Sequence, residues 1–265
     1  MLFIRSALFN IAFYINTIGR LIIMLPWLYF GSKETVLAQA KAWGQSSIRL
    51  QEIIAGTKVE IEGLENLPKD RGFIVAAQHQ SFWDTFAFFQ YIDSPVFIFK
   101  QELLRIPLFG RCLTKLKMIS VDRGAKGKAM ASVMVGAKRE IGQNGRQLFI
   151  FPEGTRSPVG APLDYKFGAA RIYSGIDVPL VPIALVSGLY WPRHSFLRQP
   201  GHFKARILPP IEPGLSIRDA LEKLTNVTQE ASDELLLDAV ENNPNLPLPP
   251  LVVQRLEDIK SSATV

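Results

Sequence analysis

The 265-residue sequence contains a single cysteine, Cys112, and only three histidines. One cysteine excludes a disulfide framework and a cysteine-built zinc site, and it fits a reducing compartment. The histidines, His79, His194 and His202, leave little material for a metal centre. Charged residues make up 20% of the chain and hydrophobic residues 48%, a balance that excludes a disordered or fibrous protein.

The first 30 residues are poor in charge, with Arg5 and Arg20 as their only charged side chains. A membrane-spanning helix needs about 20 apolar residues, and Arg20 and Pro26 interrupt this segment. Two topologies stay open: a single span with Arg20 at the interface, and a helix lying in one leaflet. Because an amphipathic helix follows the Gly31-Ser32 turn, residues 1–55 are expected to form a membrane-docking helical hairpin.

Two other interpretations of the apolar start compete with membrane docking. A signal peptide would use Ala38-Gln39-Ala40 for cleavage, but the apolar region is too long and Pro26-Trp27 too bulky for one. A buried core helix of a globular domain has a similar composition.

Beyond residue 55, short apolar segments alternate with helical ones. Near-continuous apolar strands separated by helices predict an α/β layered sheet. An acidic helix over residues 216–241 and a proline-rich tail make up a C-terminal region, residues 216–265. The six predicted strands are residues 73–77, 96–99, 118–121, 148–151, 180–185 and 203–207.

The net charge of +6 is unevenly distributed. Residues 98–146 contain eleven Lys or Arg and three Asp or Glu, whereas residues 212–260 contain four bases and ten acids. The basic segment indicates an anionic partner (nucleic acid, a phospholipid surface or a phosphorylated substrate) or a solvated basic face. Its only aromatic residues, Phe99 and Phe109, lie in apolar surroundings, which disfavours nucleic acid.

A first polar motif, residues 78–84, directly follows the strand that ends at Ala77. Functional sites of α/β sheets form at the carboxyl ends of strands, so His79 there is a candidate general base oriented by Asp84. Residues five apart do not share a helix face, which places His79 in the loop and Asp84 in the turn behind it. Ser81 to Asp84 also fits a capping box, in which Asp84 only accepts a backbone N–H.

A second polar motif, Phe151-Pro152-Glu153-Gly154-Thr155-Arg156, also follows an apolar strand. Pro152 ends the strand, and Gly154 permits a tight turn. The planar guanidinium of Arg156 suits a phosphate or a carboxylate. The alternative is a simple ion pair between Glu153 and Arg156 across the turn.

Together these segments resemble the glycerolipid acyltransferase family, most closely its bacterial 1-acyl-glycerol-3-phosphate (lysophosphatidic acid) acyltransferases. The resemblance covers about residues 60–210 and includes the segment 100–110. It implies a layered αβα acyltransferase domain with a mixed sheet, residues 56–215, after the N-terminal hairpin. The four matching motifs, in order, are His79 with Asp84, Met118 to Arg123, Phe151 to Arg156, and Val181-Pro182-Ile183.

This resemblance implies transfer of an acyl group from acyl-CoA or acyl-carrier protein to the sn-2 hydroxyl of lysophosphatidic acid. The product would be phosphatidic acid. His79 and Asp84 would be catalytic, Val181, Pro182 and Ile183 would line an acyl channel, and no cofactor or metal is expected. The expected location is the bacterial inner membrane, with the catalytic domain on the cytoplasmic side. The expected substrate-binding residues are Lys100, Arg123, Glu153, Gly154, Thr155 and Arg156.

The sequence departs from the family pattern at two positions. Gln78 stands where the family usually has asparagine, and Lys117 where its second motif commonly starts with glycine. Both departures keep other acceptors open, namely glycerol 3-phosphate and a lyso-aminolipid. A thioesterase with His79 activating water, and a non-enzymatic basic binding domain, are the remaining alternatives. A covalent acyl-enzyme is disfavoured, because the sequence has no G-x-S-x-G elbow and Cys112 lies outside every motif.

Overall fold

The computed structural model of the chain describes residues 1–122, 124 and 127–262. Eight α-helices and seven strands follow one another in it, joined by short 3₁₀ turns and by two π-helical turns, Gln51–Ala55 and Lys138–Gln143. The helices are α1 (Leu2–Ile23), α2 (Leu25–Phe30), α3 (Lys33–Leu50), α4 (Phe109–Lys115), α5 (Gly127–Ala137), α6 (Gly168–Ile176), α7 (Ile217–Asn242) and α8 (Pro250–Ser262). The strands are β1 (Thr57–Glu62), β2 (Phe73–Ala77), β3 (Pro95–Lys100), β4 (Ile119–Val121), β5 (Gln147–Ile150), β6 (Leu180–Leu185) and β7 (Gly201–Ile207).

The strands form one mixed sheet in the order β1-β7-β6-β2-β5-β3-β4. All neighbouring strands are parallel except β6 and β7, which are antiparallel. Every residue of the central strands β2 and β6 is buried, as expected for apolar runs covered on both faces. Because β6, β2, β5, β3 and β4 run in the same direction, the segments that follow them meet at one edge of the sheet.

Two buried clusters cover the two faces of the sheet. The alternation of side chains along β2 divides them: Phe73, Val75 and Ala77 belong to the first cluster, and Ile74 and Ala76 to the second. Helix α1 contributes to the first cluster, helices α5 and α6 contribute to the second, and α7 contributes to both. This confirms the predicted α/β fold with layers on both sides of a mixed sheet.

The N-terminal hairpin begins with α1, which is long and apolar enough to cross a membrane by length and composition. Phe9 and Phe13 of α1 are buried in the first cluster, while most of its other apolar side chains are exposed. Ser32 caps α3 by accepting a hydrogen bond from the backbone N–H of Thr35 at 3.3 Å. Pro26 lies in the first turn of the short helix α2, as the predicted interruption requires.

The structure contains two elements that the sequence did not predict, and the bounds of β3, β4, β5 and β7 differ from the prediction by one or two residues. Strand β1, which alternates buried and exposed positions at the edge of the sheet, was not predicted. Helix α8 forms within the segment expected to be only a proline-rich tail, and its Val252 is fully buried. The predicted strand at residues 148–151 lies one position earlier, at Gln147–Ile150. Helix α7, capped by Ser216, matches the predicted acidic helix.

Candidate active site

His79 follows β2 in the loop, and Asp84 lies in the 3₁₀ turn Trp83–Thr85, as the spacing predicts. Their side chains meet: His79 Nδ1 lies 3.1 Å from Asp84 Oδ2. Asp84 is fully buried, whereas the His79 side chain is 15% exposed. Because the carboxylate oxygen only accepts hydrogen bonds, we assign the imidazole proton to Nδ1, which leaves the Nε2 lone pair free to take a proton.

Asp84 is held by four hydrogen-bond donors. Its Oδ2 also accepts the backbone N–H groups of Gln80 at 2.7 Å and Ser81 at 2.8 Å, and its Oδ1 accepts the Ser187 hydroxyl at 2.5 Å. These four donors fix the orientation of the carboxylate. The same carboxylate therefore accepts the backbone N–H groups of the turn and contacts His79, and its role in orienting a general base stays a prediction.

The third of the four matching motifs, Phe151 to Arg156, and the loop after it contact the first motif through the backbone of His79. The His79 N–H donates to Glu153 Oε1 at 3.1 Å, and the Ser157 N–H donates to the His79 carbonyl oxygen at 2.7 Å. The His79 ring stacks on Phe151, with ring centroids 4.0 Å apart. These contacts follow from the sheet order, since β2 and β5 are parallel neighbours.

Glu153 is buried, so its carboxylate does not lie at the surface beside Arg156. Burial raises the pKa of Glu153 to about 8, and the nearby charge of Asp84 adds a smaller effect in the same direction. Among the described residues, no donor lies within hydrogen-bonding distance of Glu153 Oε2, which borders a crevice against Ser232 of α7. An acid with this pKa is largely protonated at neutral pH.

The other predicted substrate-binding residues differ in their exposure. Gly154 has φ +72°, the left-handed conformation that its turn requires, and Thr155 beside it is exposed. Arg156 is half-buried. Lys100, at the end of β3, is exposed and pairs with Glu102 at 2.9 Å. Arg123 lies outside the described residues.

The proposed acyl-channel residues lie in the middle of the sheet. Val181, Pro182 and Ile183 are buried on β6, and Val181 and Ile183 pack in the first cluster. Their packing is that of a core strand, and a role in an acyl channel stays a prediction. Cys112 of α4 is buried against Met24, and burial raises its thiol pKa to about 11, which makes it a poor nucleophile.

Sequence reasoning missed Ser187 and Phe151 as parts of this site. Ser187 begins the 3₁₀ turn after β6, at the same sheet edge as His79, so the strand-end rule that found His79 also applies to it. Phe151 is the first residue of the third motif, but it has no polar group to mark it as a site residue.

The comparisons with known proteins agree with this architecture. Residues 58–186 match the family described as Acyltransferase. The chain is 34% identical over 169 residues to the 1-acyl-sn-glycerol-3-phosphate acyltransferase of Pseudomonas aeruginosa, covering 63% of this chain and 64% of that one. It is 31% identical over 159 residues to the alpha form of this enzyme from Mus musculus, covering 59% and 55%.

The matched part of the chain thus spans less than two thirds of the length of these two curated relatives. A crystal structure of the 1-acyl-sn-glycerophosphate (LPA) acyltransferase of Thermotoga maritima superposes with a TM-score of 0.76 at 26% identity. That likeness covers 89% of this chain and 98% of the other. Residues 58–186 thus match the Acyltransferase family, and the fold around them is similar to that of the Thermotoga maritima enzyme.

Proposed function

We propose that this protein transfers a fatty acyl group from acyl-CoA or acyl-carrier protein to the sn-2 hydroxyl of 1-acyl-glycerol-3-phosphate, making phosphatidic acid. The observation that carries the proposal is the 3.1 Å contact of His79 Nδ1 with Asp84 Oδ2, which leaves Nε2 free beside the third motif. The names of the relatives from Pseudomonas aeruginosa and Mus musculus support the choice of acceptor.

In the proposed mechanism His79 is the general base. Its Nε2 takes the proton of the acceptor hydroxyl as the oxygen attacks the thioester carbonyl carbon. The tetrahedral intermediate then breaks its C–S bond, and the imidazolium returns the proton to the departing thiolate. Asp84 stays ionised, holds the imidazole tautomer and stabilises the imidazolium, as in a catalytic triad without its serine. A well-oriented general base contributes about 10²–10⁴-fold to the rate.

Arg156 and Arg123 are proposed to bind the phosphate of the acceptor. Lys100 is a weaker candidate, because it is exposed and already paired with Glu102. Gly154 and Thr155 would contact the glycerol part of the acceptor from the exposed turn. Glu153 would hold the His79 loop from its buried side, since the Glu153 carboxyl accepts the backbone N–H of His79.

The catalytic domain is proposed to dock on the cytoplasmic face of the bacterial inner membrane through α1. Phe9 and Phe13 pack α1 against the domain, which leaves the opposite, apolar face for lipid. A helix that packs on the domain in this way favours lying in one leaflet over crossing the bilayer. The proposed substrate and product are both amphiphiles, so an active site at the bilayer surface reaches them directly.

Product analysis tests this function. Purified protein is given an acyl-CoA with and without lysophosphatidic acid, and the lipid formed is identified by mass spectrometry. Phosphatidic acid formed only when lysophosphatidic acid is present supports the proposal. Release of free thiol without an acceptor would identify a thioesterase instead, and acylation of glycerol 3-phosphate or a lyso-aminolipid in competition would change the acceptor.

A further inference from the structure

The loop of residues 192–198, between β6 and β7, is fastened to the start of α1. The Asn10 side-chain amide donates to the carbonyl oxygen of Phe196 at 3.0 Å. The backbone N–H of Arg198 donates to the Ser6 hydroxyl at 2.9 Å. The rings of Phe3 and Phe196 lie 5.2 Å apart. Because of these contacts, the loop lies at any surface on which the start of α1 docks.

Arg198 supports the loop from the inside. Its guanidinium donates to the carbonyl oxygens of Ser195 at 2.7 Å and Leu197 at 2.9 Å. It also lies over the Trp191 ring, 4.5 Å from the centroid. Burial lowers the pKa of Arg198 to about 10, so the side chain still carries its charge at neutral pH. These internal contacts hold the loop in one conformation, so its outer surface is fixed.

The outer surface of the loop combines an aromatic residue with a cation. Phe196 is 48% exposed and adjoins Phe3, which is 66% exposed. Ile4 and Leu8 continue the exposed apolar surface along α1. Arg193 is exposed on the same loop. An aromatic residue beside a cation, at the margin of an apolar helix face, is typical of segments that lie at the interface of an anionic bilayer.

We propose that residues 192–198 form a second membrane-contacting segment, in which Phe196 inserts beside α1 and Arg193 binds the phosphate of an anionic phospholipid. This inference rests on the proposed membrane docking of α1. Continuity with the apolar face of α1 and the positive charge of Arg193 favour lipid over a protein partner. Arg193 Nη1 donates to the carbonyl oxygen of Arg156 at 3.0 Å, and among the described residues its other donors have no partner, which leaves them for a phosphate. The contact brings the lipid surface next to the third motif.

Fluorescence of single labelled sites tests the insertion. An environment-sensitive fluorophore is attached in the full chain at Phe196→Cys, at Ile11→Cys on the exposed face of α1, and at Leu237→Cys on α7. Cys112 is buried, and wild-type protein controls for its labelling. With vesicles of phosphatidylcholine and one-third phosphatidylglycerol, we expect a blue shift at positions 196 and 11 and none at 237.

The labelled sites separate this inference from the membrane docking on which it rests. A shift at position 11 without one at position 196 overturns the second segment and leaves the docking of α1 intact. No shift at either position overturns both.

The headgroup contact is tested by vesicle sedimentation of Arg193→Gln, with Arg218→Gln, at an exposed position on α7, as the matched control. One charge near an anionic surface contributes about 1 kcal/mol, so we expect Arg193→Gln to bind the anionic vesicles about fivefold more weakly. Binding to phosphatidylcholine alone should not change, and Arg193→Lys should bind as wild type does. Equal losses in Arg193→Gln and Arg218→Gln overturn the assignment.

Discussion

The backbone N–H of His79 donates a hydrogen bond to Glu153 Oε1 at 3.1 Å, which joins the first motif to the third. The Ser157 N–H donates to the carbonyl oxygen of the same residue at 2.7 Å. Both peptide groups of His79 are therefore held by the loop that follows β5. The position of the imidazole depends on these two backbone hydrogen bonds as well as on the contact with Asp84.

Glu153 gives the folded protein a pH-dependent stability. The folded carboxyl keeps its proton up to a pKa of about 8, whereas the unfolded one ionises near its ordinary value of 4.5. Between these pH values the folded state binds more protons, so its stability falls as pH rises, by at most about 1.4 kcal/mol per pH unit. Glu153→Gln should remove this component from the free energy of unfolding, measured by urea denaturation in detergent from pH 5 to 8.

The matched control for Glu153→Gln is Glu257→Gln, at an exposed position on α8, which should keep the wild-type pH profile. If the profile of Glu153→Gln ran parallel to that of the wild type, the buried acid would not carry this pH dependence.

Lys117 occupies a backbone conformation that favours glycine, with φ +53°. This explains physically why the family pattern begins its second motif with glycine. A non-glycine residue in the left-handed region costs about 1 kcal/mol, so Lys117→Gly should raise the free energy of unfolding by about that amount. Lys117→Ala keeps the Cβ atom and should not raise it. A gain in Lys117→Ala equal to that of Lys117→Gly would contradict the explanation.

Ser187 acts on catalysis through Asp84, since its hydroxyl donates to Asp84 Oδ1. Hydrogen bonds to charged groups contribute about 1.5–3 kcal/mol, so Ser187→Ala should lower kcat about tenfold or more. The KM for the acceptor should stay unchanged, because Ser187 is buried behind Asp84. Steady-state kinetics check this, with Ser47→Ala on α3 as a control for loss of a buried hydroxyl away from His79. A rise in KM with unchanged kcat would assign Ser187 to substrate binding.

Arg156 is expected to bind the acceptor substrate, lysophosphatidic acid, and not the acyl donor. Arg156→Ala should raise the KM for lysophosphatidic acid tenfold or more, because a charge-assisted contact to phosphate is lost. The KM for acyl-CoA should change less than about twofold. Arg171→Ala, at an exposed position on α6, is the control. Equal changes in both KM values would show that Arg156 does not distinguish the two substrates.

The sequence predicted the parts of the fold that depend on local pattern. Strands β2 and β6 have the predicted bounds, because both are continuous apolar runs that end in polar or glycine-containing segments. Strand β1 was missed because its edge position exposes alternate side chains, including Lys58 and Glu60, and so weakens the apolar signal. Helix α8 was missed because its stability comes from tertiary contacts, such as Val252 in the core, which no local pattern reveals.

The sequence predicted the part of the site in which a reactive side chain and its partner lie close together in the chain. His79 and Asp84 were found because a five-residue separation after a strand brings a loop residue back against the following turn. The burial of Glu153 was not foreseen, because depth below the surface depends on how the loop after β5 packs against α7. The contact of Ser187 with Asp84 joins residues 103 positions apart and depends on the order of strands in the sheet.

The most direct test of the account is the acyl-transfer rate of His79→Ala, measured as thiol release from acyl-CoA in the presence of lysophosphatidic acid. Loss of the general base should lower kcat/KM by about 10²–10⁴-fold. Asp84→Asn should also lower it severely, because it removes the charge that stabilises the imidazolium. His202→Ala, on β7 outside the site, should stay near the wild-type rate. A His79→Ala variant with near-native activity would contradict the account.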